Sequence, residues 1–340
     1  CTKTIWGMDL RPRMYAISLG QKAVTQTDPL AEYIPTSHVG VEIGGGVGLH
    51  YHYGTLGQLQ HGENYADAYL RTISKAKEVS RPLKKWPYLK GSPIRLFIMT
   101  GHRNMEGERA FVQELAGLED GKVLLQDNPK IAFRYSLGGG FRESNSWEPL
   151  GLTGHYDNFG PELSFGQTLQ TKESGNIAIA KFTHSGSQII DWTPVGSMAE
   201  SRNIYTKFIT FVRESIDDLK GRGHQVDLAG IFYHLGENDM SFHPYRKEAA
   251  ERLQTIIAQS RKDLTLPKLK WFVSQQPPTD DKRVNSLDVV ADVTAAAAAD
   301  ASFFHIKAFD LPPQEKKLVI TTEGIVRLGE LIARGYLESK

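Results

Sequence analysis

The sequence predicts an α/β fold: a flavodoxin-like three-layer sandwich around a central parallel sheet, with an N-terminal extension. Three observations carry this. From residue 91 onward, short apolar runs alternate with longer amphipathic stretches. That alternation implies right-handed βαβ crossovers, with helices covering both faces of a parallel sheet. The apolar runs number five, for which a flavodoxin-like arrangement is the default. The length, 340 residues, suits one large α/β domain plus an extra segment and buries a core without disulfides or metals.

In chain order, residues 1–90 read as an extension and linker packed on the main domain, and residues 91–340 as the α/β domain. The extension is glycine-rich at "GVEIGGGVGLHYHYGTLG" (40–57) and becomes helical at "ENYADAYLRTISKAKEV" (63–79). "SRPLKKWPYLKGSP" (80–93) has the proline and lysine content of a linker. Strands are expected at "IRLFIMT" (94–100), "IAIAKF" (177–182), "LAGIFYH" (228–234), "LKWFVS" (269–274) and "FFHIKAF" (303–309). Residues 203–223 place Ile204, Phe208, Phe211, Val212, Ile216 and Leu219 near a 3.6-residue period and end at glycine, which predicts a helix. Residues 245–264 and 322–338 repeat that pattern. "LDVVADVTAAAAADASFF" (287–304) is the most apolar stretch, but it carries Asp288, Asp292 and Asp300 and reads as a buried helix. No repeat of fixed period stands out.

Composition narrows the function. Forty basic and 39 acidic residues give a net charge of +1, which offers nothing to attract nucleic acid or an anionic membrane. The single cysteine, Cys1, excludes a disulfide framework and a cysteine-based zinc site. A first-residue cysteine is also what a bacterial lipoprotein shows after signal-peptide removal. On that reading Cys1 carries lipid, and the protein is exported to the cell envelope or beyond. The plain alternative is a fragment boundary that falls on cysteine. No cofactor fingerprint is read, and His50 and His52 lack a third ligand at metal-binding spacing.

In a parallel sheet the ligand lies outside the C-terminal strand ends. The segments there are "GHRNMEGE" (101–108), "THSGSQIIDW" (183–192), "LGENDMSFH" (235–243), "QQPPTDDK" (275–282) and "DLPPQEKK" (310–317). Strand-to-helix loops are commonly polar because they are solvated. Glycine beside Asn, His, Arg and Glu right at the strand ends points instead to a site.

These residues carry a resemblance. From about residue 91 to the end, the chain resembles the SGNH-hydrolase superfamily, and within it the sialate O-acetylesterase-like carbohydrate esterases. The family's Gly-Gln-Ser-Asn-Met is similar to Gly101-His102-Arg103-Asn104-Met105. Its Gly-Pro-Glu…Phe-Gly segment is similar to "FGPELSFGQTL" (159–169). A strand with a closing lysine and a glycine turn corresponds to Lys181, Gly186 and Trp192. The family's Gly-x-Asn-Asp or Gln-Gly-Glu block is similar to Gly236-Glu237-Asn238-Asp239. The closing block before "TTEGIVRLG" spans 316–329. Each motif alone is weak, but the ordered set is specific.

The resemblance implies a serine nucleophile, a histidine base, an orienting aspartate and oxyanion donors. Carried across, the oxyanion donors are Gly186 and Asn238. The nucleophile position holds Arg103, the base position Val319 and the aspartate position Lys316. Arginine stays protonated and is neither nucleophile nor base, and valine accepts no proton. The expectation is a catalytically degenerate esterase with Arg103, Asn104, Gly186, Glu237 and Asn238 lining a pocket for an acidic glycan. Its guanidinium fork suits carboxylate, sulfate or phosphate. The alternative is that Glu106, Glu108 or Glu237 neutralises Arg103 internally, which favours an interaction scaffold or a structural subunit of a larger assembly. A rearranged, active O-acetylesterase is the rival, through Ser185 beside His184, or through His50 or His52. For the latter, "GLHYHYGTLGQLQHGENYADAYL" (48–70) loosely resembles a closing block seen in some of these esterases, permuted or duplicated.

Overall fold

The computed structural model describes residues 17, 19–25, 32–34, 42–44, 50–52, 55–74, 82–140, 142–153, 158–198, 200–241, 243–277, 287–312 and 319–340. Cys1 and Lys316 lie outside these residues.

In the extension, β1 (Glu42–Gly44) and β2 (His50–His52) form an antiparallel hairpin, followed by α1 (Thr55–Ser74). Within the proline-rich stretch after it, Trp86 and Tyr88 are anchored on the domain. The Tyr88 hydroxyl donates to the Ile177 carbonyl and accepts from the Ala132 amide at 2.8 Å, and Trp86 Nε1 donates to His224 Nε2 at 2.7 Å.

The main sheet is mixed, with eight strands. Its elements are β3 (Pro93–Gly101), β4 (Asn128–Leu137), β5 (Arg142–Glu143), β6 (Glu148–Leu150), α2 (Glu162–Lys172), β7 (Asn176–Thr183), α3 (Tyr205–Gly221), β8 (Gln225–His234), α4 (His243–Asp263), β9 (Trp271–Gln275), α5 (Leu287–Ala298), β10 (Phe303–Lys307) and α6 (Thr322–Glu338). The order is β10-β9-β8-β3-β7-β4-β5, with β6 also on β4. All pairings from β10 to β4 are parallel, and β5 and β6 join antiparallel. The five expected strands are present, and β3 lies centrally between β7 and β8.

Strand alternation builds the two cores. On β3, Ile94, Leu96 and Ile98 pack with α3, α4 and α5, through Phe208, Val212, Leu253 and Val289. Phe97 and Met99 point the other way, to α2 and α6, with Phe165, Leu169, Ile325 and Ile332. A strand covered on both faces reads as a continuous apolar run, and burying each such side chain contributes about 1.5–3 kcal/mol.

The expectation of five strands was incomplete, because β4, β5 and β6 were not foreseen. Lys130, Arg134 and Ser136 break the apolar run of β4. Arg134 sits in the sheet because α3 covers it: its guanidinium lies 5.1 Å from the Phe211 ring centroid and pairs with Glu214 at 2.9 Å.

Candidate functional site

Parallel β3, β7, β8 and β9 end side by side, so their following turns meet. The His184 amide donates to the Gly101 carbonyl at 3.1 Å, and the Leu235 amide to the Ser274 carbonyl at 2.9 Å. A Cβ on Gly236 would lie 3.0 Å from the His102 ring, which shows how closely the first and third turns approach.

The first turn is a single-turn helix, Arg103–Glu106, closed by Gly107 in the left-handed region at φ 92°. A side chain there would meet the Phe159 carbonyl oxygen at 1.8 Å, so the turn requires glycine. The helix carries Arg103 inward, only 4% exposed. Arg103 Nε lies 3.0 Å from Glu237 Oε1 and 3.3 Å from Glu108 Oε2. Both carboxylates are buried. Burial raises the Glu237 pKa, Arg103 opposes the rise, and Glu108 adds to it. Of the three carboxylates expected to compete for Arg103, two hold it. Glu106 instead accepts from the Gly138 amide at 3.2 Å.

Asn104 links the turn to the closing segment. Its Nδ2 donates to Gln276 Oε1 at 2.5 Å, and its Oδ1 accepts from the Ile320 amide at 2.8 Å. Val319, partly buried, therefore stands one residue from a direct bond to the arginine turn. Asn238 is partly buried, next to the Arg103 partner Glu237. Its Oδ1 has no hydrogen-bond partner among the described residues. The Gly186 carbonyl accepts from Arg202 Nη2. Of the expected site residues, Arg103 and Glu237 touch directly. Asn104 faces the turn after β9 and the closing segment, through Gln276 and Ile320.

A serine–histidine contact is present, though not at the expected pair. Ser187 Oγ lies 3.0 Å from His102 Nδ1. The same hydroxyl donates to the His184 carbonyl at 2.6 Å and accepts from Trp192 Nε1 at 2.9 Å. His102 Nδ1 also lies 3.1 Å from the Ser187 carbonyl, and Nε2 lies 2.5 Å from the Tyr233 hydroxyl. A neutral ring with its proton on Nδ1 satisfies both: it donates to Ser187 O and accepts from the tyrosine. Burial pushes the imidazole down to about 3, with His234 and Arg103 adding to the fall. The ring is buried, and the Ser187 hydroxyl is already committed to the His184 carbonyl and Trp192 Nε1. Sequence offered one signal for it, histidine at the family's glutamine position.

Behind the turn, Lys181 Nζ pairs with Glu162 Oε2 at 2.7 Å, both 1% exposed. The Glu162 carboxylate also accepts from the Gly160 amide at 3.3 Å. This buried pair holds the Gly-Pro-Glu segment to β7. Asp239 accepts from the Ile189 amide at 3.0 Å, and burial pushes its carboxyl up to about 8, against that bond. Among the described residues no cluster of three or more His, Cys, Asp or Glu could hold a metal ion, and no helix is long and apolar enough to cross a membrane.

Residues 93–338 match the family model for carbohydrate esterase, sialic acid-specific acetylesterase. The chain belongs to this family. No curated protein matches the sequence. Similar solved structures include an Arabidopsis thaliana protein, at 20% identity over 72% of this chain and 98% of that one, TM-score 0.52. A carbohydrate acetylesterase from Xanthomonas citri is 15% identical over 72% of this chain and 57% of that one, TM-score 0.52. NanS is 12% identical over 74% and 98%, TM-score 0.52. These likenesses show that the α/β architecture is that of SGNH-like carbohydrate esterases.

Proposed function

We propose that this member of the carbohydrate esterase family is non-hydrolytic and acts as an interaction scaffold. The observation that carries the reading is Arg103. It occupies the turn where the family places its nucleophile, and two buried carboxylates hold it from inside the protein. A guanidinium already flanked by two acids has no surplus charge for an external anion, so the acidic-glycan pocket is the weaker reading. For a glycan carboxylate to bind, Arg103 would have to leave Glu108 and Glu237 unpaired and buried, which costs several kcal/mol. Oxyanion donors and binding contacts without a nucleophile and base retain little catalysis. The exported, envelope location expected from Cys1 belongs to the same proposal, and palmitate labelling in the host tests the lipid.

The experiment is acetyl-ester hydrolysis. The purified chain is expected to release p-nitrophenol from p-nitrophenyl acetate no faster than buffer. Turnover that survives repurification and is lost in Ser187→Ala or His102→Gln would overturn the proposal in favour of an active, rearranged esterase.

A further inference from the structure

The main sheet is incomplete at the N-terminal ends of its strands. β3 runs beside β8 from Gln225, but β9 pairs with β8 only from Ile231 onward. Residues 225–229, about 16 Å of strand at about 3.3 Å per residue, therefore have a neighbouring strand on one side alone. Among the described residues, the first main-chain bond on the other side is the Ile231 amide on the Lys270 carbonyl, at 2.9 Å. A cavity of about 1000 Å³ occupies the gap. It is lined by α3, which covers one face of the sheet, and by Tyr336 of α6, which covers the other. Helices on opposite faces reach one cavity only where no strand separates them.

The gap has an apolar wall and a basic rim. Ile216, Val226, Leu228, Leu264, Leu266 and Leu269 line it. Val226 and Leu228 are only partly buried, although they pack on the core beneath α3, and Leu266 is 37% exposed. Around them stand Arg213, Lys220, Lys268 and Lys270. Arg213 and Lys270 donate to main-chain carbonyls, those of Asp263 and Ser339. Among the described residues none of the four cations pairs with a carboxylate. Of the lining acids, Asp227 faces Arg95 at 3.8 Å, and Asp263 accepts from Tyr205 and Gln259. That leaves Asp217 against four cations, in a chain whose net charge is +1.

We infer that this gap is a docking groove for an acidic, extended segment of another protein, which adds to β8 as a short strand beside Gln225–Ala229. An open strand edge is a template for one more strand, with main-chain pairing giving affinity and alternate side chains giving selectivity. The apolar side chains of the segment meet the leucines and Val226, and its carboxylates meet the lysines. A second copy of this chain does not fit as the occupant, because its own open edge carries the same cations and like charges repel. The groove lies at the opposite end of the strands from Arg103, so the inference stands whether or not the chain hydrolyses esters.

The probe is a fluorescein-labelled hexapeptide pool with Glu or Asp at odd positions and Val, Ile, Leu or Phe at even ones. It is titrated with the full-length protein and followed by fluorescence polarisation. Saturable binding is expected, and none for the matching pool with Lys or Arg at odd positions. Lys220→Glu combined with Lys268→Glu, at two exposed side chains, should weaken the acidic pool by about tenfold or more. Lys122→Glu combined with Lys130→Glu changes the net charge equally, at exposed residues outside the groove, and should leave binding unchanged. Thermal midpoints check that both double variants fold. An acidic pool N-methylated at its main-chain amides loses its donors with no change to the protein, and it should lose binding. The inference is overturned if the acidic pool does not bind, if the basic pool binds as well, or if the two double variants bind the acidic pool equally. It is also overturned if the N-methylated pool binds as tightly, which would make the groove a site for anionic amphiphiles rather than for a strand.

Discussion

Replacing Arg103 by methionine keeps most of the side chain's volume and removes its charge. In the native protein the guanidinium lies 3.0 Å from Glu237 and 3.3 Å from Glu108. The variant leaves these two buried carboxylates beside each other without that cation. Removing one partner of a buried ion pair costs about 3–5 kcal/mol, a large fraction of a typical 5–15 kcal/mol domain stability. At an unfolding entropy of about 2.1 cal/mol/K per residue, for a chain of this size that corresponds to a drop in Tm of roughly 4–7 °C. The pH dependence has a definite sign. The Glu237 pKa is already raised by burial, and Arg103 opposes the rise. Without Arg103 it rises further, so the variant takes up a proton on folding over a wider pH range. Stability from a raised carboxyl is present below the unfolded pKa and lost as pH rises through the folded one. The deficit of the variant is therefore largest at pH 8.5 and smallest near pH 5. Urea unfolding followed by circular dichroism at both pH values measures this. Adding Glu237→Gln to Arg103→Met should recover part of the loss. A deficit below about 1 kcal/mol at both pH values, the range of an exposed pair, would refute the reasoning and return Arg103 to external anions.

Three further outcomes follow from buried groups near the strand ends. Lys181→Met should cost about 3–5 kcal/mol by stranding Glu162, and pairing it with Glu162→Gln should cost less than Lys181→Met alone; urea midpoints decide this. Asp239 is held up to about 8, so between about pH 4 and 8 the native state keeps a proton that the unfolded chain releases. Stability should fall with rising pH over that window through this residue, by up to about 1.4 kcal/mol per unit, and Asp239→Asn should remove that component from unfolding curves taken across it. Gly107→Ala should lower Tm by several degrees, because φ is 92° and the added carbon would meet the Phe159 carbonyl; an unchanged Tm would mean the turn relaxes freely.

The parts of the fold that sequence made legible are those covered on both faces. The β3 and β8 runs are apolar because helices lie on each side, and the amphipathic periods of α3, α4 and α6 name their buried stripes. β4 escaped because a charged residue, Arg134, sits in it under α3. At the site, the resemblance led to the expectation that Arg103 stands at the nucleophile turn, with Glu106, Glu108 and Glu237 as candidates to neutralise it. Which carboxylates do so depends on how a one-turn helix aims its side chains, and short sequence does not encode that aim. The His102–Ser187 contact joins residues 85 apart in sequence and needed the sheet order to be seen.

The central claim is that Arg103 closes the nucleophile position from within. The most direct measurement is the Nε–H signal of Arg103 in an arginine-selective nitrogen-15 spectrum, assigned by its loss in Arg103→Met. The account predicts a slowly exchanging resonance that does not move when sulfate or glucuronate is added to millimolar concentration. A rapidly exchanging signal, or one that shifts in a saturable way with either anion, would contradict it.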